Sequence, residues 1–164
     1  MKIGILSDIH DHIDNLKKSK KIFDKEKVEA LIFCGDFCSP IPAKVMSKLF
    51  DCDIHCVFGN GDGDRFSILK FAEAEAPNLK LYGEYADLKI DGVRIAITHY
   101  PFYAKALAKS NDFEAVFCGH SHISNKEIIG NCLLMNPGEI LGFKGEPTCG
   151  LFDTVSKKAT IVTL

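Results

Sequence analysis

The sequence predicts an α/β protein: a mostly parallel sheet covered by helices, with a second sheet packed on it. Three observations point there. Short apolar runs alternate with amphipathic stretches up to Pro77. From residue 79 onward strand signals dominate, separated by turn signals. Polar, chemistry-bearing residues follow one predicted strand after another.

Residues 2–7, KIGILS, are a brief apolar run ending in a polar loop, the pattern of a buried strand. Residues 13–27 place Ile13, Leu16, Ile22 and Phe23 near one face of a helix with lysines opposite. A second buried strand spans 29–35. Pro40 and Pro42 open a helix whose apolar side is Val45, Met46 and Leu49. A third strand covers 53–59, and an amphipathic helix over 64–75 is stopped by Pro77. Strand, helix, strand, helix, strand, helix is the rhythm of a parallel sheet with crossover helices. Residues 79–99 then read as strands with turns at Gly83 and at Asp91-Gly92, the latter a strong hairpin signal. A helix at about 101–110, a strand at 114–119 and a strand-rich tail complete the chain.

The 164 residues suit one domain spanning 1–164, with no linker, repeat or low-complexity segment. Hydrophobic residues make up 46% and charged residues 26%, ordinary for a soluble globular chain with one sizeable core. A net charge of −2 argues against broad electrostatic binding, so tight nucleic-acid binding is not expected. No apolar window approaches a membrane span and the opening MKIGILSDIHD is no signal peptide, so a cytoplasmic protein without a membrane partner is expected. The seven cysteines lie mostly in apolar runs and read as reduced core thiols. The spacing Cys34-x3-Cys38 followed by Cys52-x3-Cys56 resembles a structural zinc site, but Cys34 and Cys56 fall in strand-like runs rather than on turns.

Five strand ends deliver ligand-type residues. Asp8 and His10 follow the first strand, Asp36 the second, Asn60 and Asp62 the third, His99 the strand ending near 98, and His120 and His122 the strand 114–119. In open α/β sheets the carboxyl ends of strands are where ligands bind. Imidazole with carboxylate suits divalent transition metals and needs no thiolate. Asp8, His10, Asp36, Asn60, His99, His120 and His122 are too many for one ion. Two ions with one bridging carboxylate fit, the arrangement that clamps a phosphoryl group in two-metal hydrolases. Taken singly, each residue has a plainer reading. Asp8 and Asp36 alone would be helix caps, and His12 and His55 read as ordinary structural histidines, although His12 is close enough in sequence to line the site. The conjunction carries the inference.

The motifs SDIHD, CGD, FGNGD, ITH and CGHSH, in this order, resemble the calcineurin-like metallophosphoesterase superfamily, and within it the compact bacterial and archaeal phosphodiesterase branch. The resemblance covers nearly the whole chain. It implies a four-layer α/β/β/α sandwich of two mixed sheets. It implies a phosphoesterase, foremost a phosphodiesterase, acting on a small phosphate ester through hydroxide activated between two divalent cations. Manganese is the first expectation, with Fe, Ni, Zn or Co as others. By the same carry-over, Asp8, His10, Asp36 and His122 hold one ion, and Asp36, Asn60, His99 and His120 the other. Asp36, Asn60 and His99 stand in the catalytic set, and Asp62 orients its neighbours.

One departure stands out. Many superfamily members have His directly after the metal-binding Asn, where this chain has Gly61. That implies leaving groups that depart without protonation, or a proton donor such as His12. Arg65 is a candidate phosphate contact, weighed against a plain helix-start role. The same branch includes a retromer scaffold subunit, so a non-catalytic interaction module of the same fold is the alternative. A metal store is a third reading. Homo-oligomerisation, the natural substrate and a diester or monoester preference are left open by the sequence.

Overall fold

The computed structural model describes residues 1–164. Eleven strands and four helices alternate in the order β1 (Lys2–Leu6), α1 (Ile13–Glu26), β2 (Ala30–Phe33), α2 (Pro40–Leu49), β3 (Ile54–Cys56), α3 (Arg65–Glu75), β4 (Leu79–Leu81), β5 (Tyr85–Ile90), β6 (Val93–Thr98), α4 (Pro101–Lys109), β7 (Ala115–Phe117), β8 (Asn125–Ile129), β9 (Cys132–Asn136), β10 (Thr148–Asp153) and β11 (Lys158–Thr163). They build two mixed sheets. The first has order β11-β10-β1-β2-β3-β4, and the second β5-β6-β7-β9-β8.

Strand residues alternate between two apolar environments, as the twofold side-chain period requires. Ile3, Ile5, Ala30, Ile32 and Cys34 face the second sheet, where they meet Ile95, Ile97, Phe117 and Met135. Leu6, Leu31, Phe33, Ile54 and Cys56 face the other way, onto Leu16, Phe23, Met46 and Ile68 of the helices. On the far side of the second sheet, Ala104 and Ala108 of α4 pack on Ala96, Val116 and Leu134. Helix, sheet, sheet, helix is the four-layer α/β/β/α sandwich expected. Because β1 and β2 are buried on both faces, they read as continuous apolar runs rather than alternating ones. Each fully buried Ile, Leu or Phe contributes roughly 1.5–3 kcal/mol, so the layers are held mainly by these three apolar contacts.

The helix boundaries follow local chemistry. The His12 imidazole accepts from Asn15 N–H at the start of α1, and Lys27 closes that helix in the left-handed conformation. The Ser39 and Asp64 side chains cap α2 and α3 by accepting from Ile41 and Ser67 N–H, with Pro40 inside the first turn of α2. α4 opens on Pro101 without a side-chain cap.

Two differences from the sequence reading have physical reasons. β3 ends at Cys56 and β7 at Phe117, short of the predicted 59 and 119. The next residues, Val57, Phe58 and Cys118, are apolar because they are buried, although they lie beyond the strands. The strand-rich second half is also shared out between the sheets. β10 and β11 return to the first sheet, where β10 pairs antiparallel with β1 at Gly4↔Leu151. No helix is long and apolar enough to cross a membrane.

Candidate metal centre

β1, β2 and β3 are mutually parallel, as are β6, β7 and β9, so their carboxyl ends gather at one edge of the sandwich. All seven predicted donors meet there. Asp8 Oδ1 lies 3.8 Å from His10 Nε2 and 3.4 Å from His122 Nε2, and those two ring nitrogens are 3.2 Å apart. On the other side, His99 Nε2 lies 3.1 Å from Asn60 Oδ1, which is 2.7 Å from His120 Nδ1. Asp36 stands between the halves, with Oδ2 3.5 Å from His10 Nε2 and 3.4 Å from His99 Nε2. Asp8, His10 and His122 form one group able to hold an ion, and Asp8, Asp36 and His99 a second that overlaps it.

Partners outside the cluster fix the rings. His99 Nδ1 donates to the Cys34 carbonyl at 2.8 Å, and His122 Nδ1 donates to Glu139 Oε2 at 2.5 Å. His10 Nδ1 stands 2.9 Å from Cys38 Sγ. With Nδ1–H donating to a carbonyl or carboxylate in this way, His99 and His122 turn an unprotonated Nε2 inward, the tautomer a metal ligand needs. The field inside the cluster also favours positive charge. The His10 pKa is raised, first by the neighbouring Asp8 carboxylate and then by the Asp36 charge, against burial. Burial pushes Asp36 up, but the bond and charge of His99 and the Gly61 N–H outweigh it and hold the carboxyl below its usual range. His10 and His99, drawn towards protonation beside the ionised Asp36, together with His120, whose pKa burial and then the His99 charge lower, are a donor set that a divalent cation fits.

The backbone is bent to aim these groups. Asp8, His10, Asp36, His120 and His122, five of the seven donors, have positive φ between 44° and 68°. Each such non-glycine residue costs on the order of 1–2 kcal/mol. Asp62, 5% exposed, holds the loops in place: it accepts from Gly59, Asp36 and Cys38 N–H at 2.7–3.1 Å. Burial raises its pKa, and those three N–H bonds pull the other way. Gly119 is required for close approach, because a Cβ there would lie 1.9 Å from Ser7 Oγ and 2.6 Å from Asp8 Oδ2. Gly61 donates its N–H to Asp36 Oδ1 at 2.7 Å, and a Cβ at this position would press on the same carboxylate at 3.1 Å.

Other candidates take structural places. Arg65 donates to the Gly59 and Asp62 carbonyls and to Glu84 Oε1, so it clamps the loop after β3 at the start of α3 instead of waiting for phosphate. The His55 ring pairs with the Tyr82 hydroxyl at 2.8 Å, and His12 caps α1. Cys34 lies between the sheets and Cys56 under the helices, on opposite faces of the first sheet, which rules out the zinc spacing considered for them. Sequence reasoning missed Glu139 and Asn136, whose amide donates to the Gly119 carbonyl and to Ser121 Oγ. Asn136 closes a sixth strand, β9, and Glu139 follows it, and the segment NPGE at 136–139 was the available signal.

Comparison with known proteins gives a coherent picture. The sequence model of the calcineurin-like phosphoesterase superfamily domain matches residues 1–157. A phosphodiesterase of Methanocaldococcus jannaschii is 34% identical over 167 residues, covering 100% of this chain and 99% of the relative. The solved structure of an archaeal phosphodiesterase superimposes with a TM-score of 0.92 at 34% identity, covering 100% of both chains. Vacuolar protein sorting 29 of Cryptosporidium parvum shares the fold with a TM-score of 0.68 at 15% identity, over 99% of this chain and 96% of that one.

Proposed function

The chain belongs to the calcineurin-like phosphoesterase superfamily, and from that premise we propose that it is a phosphodiesterase that works with two divalent cations, manganese foremost. It acts as one domain over residues 1–164, on a small phosphate ester, in the cytoplasm. The observation that carries this reading is the position of Asp36 Oδ2, almost equidistant from His10 Nε2 and His99 Nε2. A carboxylate so placed serves both halves of the cluster.

In this reading Asp8, His10, Asp36 and His122 would hold one cation, and Asp36, Asn60, His99 and His120 the other. Bound there, the pair would supply a water of lowered pKa and positive charge to offset that on the phosphoryl oxygens. The chain's own work is positional. Asp36 sets the spacing of the two halves while Gly61 N–H fixes its Oδ1. Glu139 and the Cys34 carbonyl hold the rings of His122 and His99, so the donors need little rearrangement on reaction. Asn60, partly solvated beside His99 and His120, is at the open side where an ester would enter. With Gly61 in place of a histidine, esters of acidic alcohols are the preferred substrates, and rates should fall steeply as the leaving-group pKa rises.

Hydrolysis of bis(p-nitrophenyl) phosphate, with manganese and after chelation, tests the reading. Turnover restored by manganese supports it. No turnover with Mn, Fe, Ni, Zn or Co overturns it in favour of a scaffold of the same fold.

A further inference from the structure

Beside the metal cluster, α4 leaves part of the second sheet uncovered. It packs on residues of β6, β7 and β9, while Tyr85 of the edge strand β5 stays 44% exposed on the α4 side. The result is a groove of about 530 Å³ between β5 and α4, lined by Tyr85, Thr98, Tyr100, Tyr103, Ala106 and Leu107, with Glu84 at its rim. Its size and apolar lining suit a small organic group. The Glu84 carboxylate is already matched by Arg65 at 2.7 Å, so the rim has no unpaired charge from that residue.

The groove is continuous with the cluster. Tyr100 follows His99 directly, and its ring centroid lies 5.2 Å from those of both His99 and His120. Tyr103 meets Tyr100 edge to face at 5.8 Å. A run of aromatic rings therefore leads from the metal-binding imidazoles into the groove. Tyr103, 55% exposed, and Tyr85 offer ring surface that the fold itself leaves uncovered.

We propose that this groove binds a flat aromatic group, aryl or nucleobase, carried by the phosphate ester, and that Tyr85 and Tyr103 determine specificity for it. This rests on the phosphoesterase reading above. A phosphate held at His99 and His120 places its ester substituent beside Tyr100, and stacking on tyrosine is tolerant of which ring is presented.

The test compares inhibitors that share a head group. Competitive inhibition of bis(p-nitrophenyl) phosphate turnover by phenylphosphonate and by methylphosphonate is measured for the manganese-loaded wild type, Tyr85→Ser, Tyr103→Ala and, as a control at the opposite edge of the second sheet, the exposed Ile128→Ala. Phenylphosphonate is expected to inhibit the wild type about tenfold more tightly than methylphosphonate. That ratio should fall to about two in the tyrosine variants and hold in Ile128→Ala, with methylphosphonate inhibition unchanged throughout. Adenosine 5′-monophosphate against ribose 5-phosphate repeats the comparison for a nucleobase. The pair with the larger tyrosine-dependent ratio identifies the group. Normal turnover and methylphosphonate inhibition with a ratio that ignores the tyrosines would overturn the groove alone. A ratio that falls as protein concentration rises would mean that a second copy fills the groove, which also overturns it. Absence of turnover with any metal would overturn both readings.

Discussion

The two ends of the sandwich use the same rare backbone conformation for different purposes. At the end away from the cluster, Lys27, Asp91, Asn111 and Lys157 have positive φ. Each sits where the chain reverses: after α1, between β5 and β6, between α4 and β7, and between β10 and β11. Asp91 and Asn111 are residue types that tolerate this region, and Asp91 accepts from the Thr154 hydroxyl at 2.5 Å. At the cluster end, Asp8, His10, Asp36, His120 and His122 adopt it although three are histidines, and Asp8 and Asp36 are buried carboxylates. One end resolves turns with ordinary local chemistry. The other accepts strain and buried charge to aim donors at a common point.

The sharpest way to break that comparison is Asp36→Asn. Turnover should drop about a hundredfold or more, the scale of losing one preorganised electrostatic group. The stabilisation on adding manganese, about 2.7 kcal/mol at a hundredfold excess over Kd and read as a rise in thermal midpoint, should shrink with it. An Asp36→Asn protein with full activity would show that the cluster end is mere packing. Asp62→Ala comes next. It strips three buried N–H groups of their acceptor, so denaturant unfolding should show a loss of about 2–3 kcal/mol. Glu139→Gln weakens the hold on His122 and should lower metal affinity about tenfold to a hundredfold by titration calorimetry, with the fold intact by circular dichroism.

At the opposite end the expected sign reverses. Lys27→Gly removes left-handed strain from a helix terminus and should stabilise the protein by about 1 kcal/mol, with kcat/KM unchanged. Unaltered stability would mean that the strain is relieved elsewhere. His55 gives the smallest effect. Burial lowers its pKa, with Asp53 opposing, so the folded state binds the proton less readily than the unfolded chain. Its contribution is full above the unfolded value of about 6.5 and is lost as pH falls through the lower folded value. Between pH 7 and pH 5 the thermal midpoint of the wild type should therefore fall slightly more than that of His55→Gln.

The same contrast explains what could be read from the sequence. The seven donors were legible because each follows a strand end, and parallel strands bring their ends together whatever the order of pairing. Helix boundaries were legible where Pro40 opens α2 and Pro77 follows the end of α3, whereas the Ser39 and Asp64 caps emerged only with the structure. The return of β10 to lie beside β1 was not, because that pairing is set by which apolar faces remain open once both sheets exist. Glu139 was missed because a carboxylate that supports a ligand through a histidine carries no spacing motif of its own. Tyr85 was missed because its exposure depends on how far α4 extends across the sheet. Arg65 drew attention as a cation near a loop, and only its bonds to Gly59, Asp62 and Glu84 showed it to be occupied.

The antiparallel pairing of β1 with β10 has a consequence for assembly. Gly4 and Leu151 are neighbours in space yet separated by almost the entire polypeptide, so their contact closes one of the longest loops in the fold and carries a correspondingly large loop-closure entropy. Glu139 lies between β9 and β10, and while its carboxylate accepts from His122, its backbone carbonyl accepts from Thr148 N–H at the start of β10 at 2.9 Å. A chain clipped before β10 would keep Glu139 but lose the Thr148 N–H that ties its backbone, so the brace on His122 would slacken together with the last pairing of the first sheet.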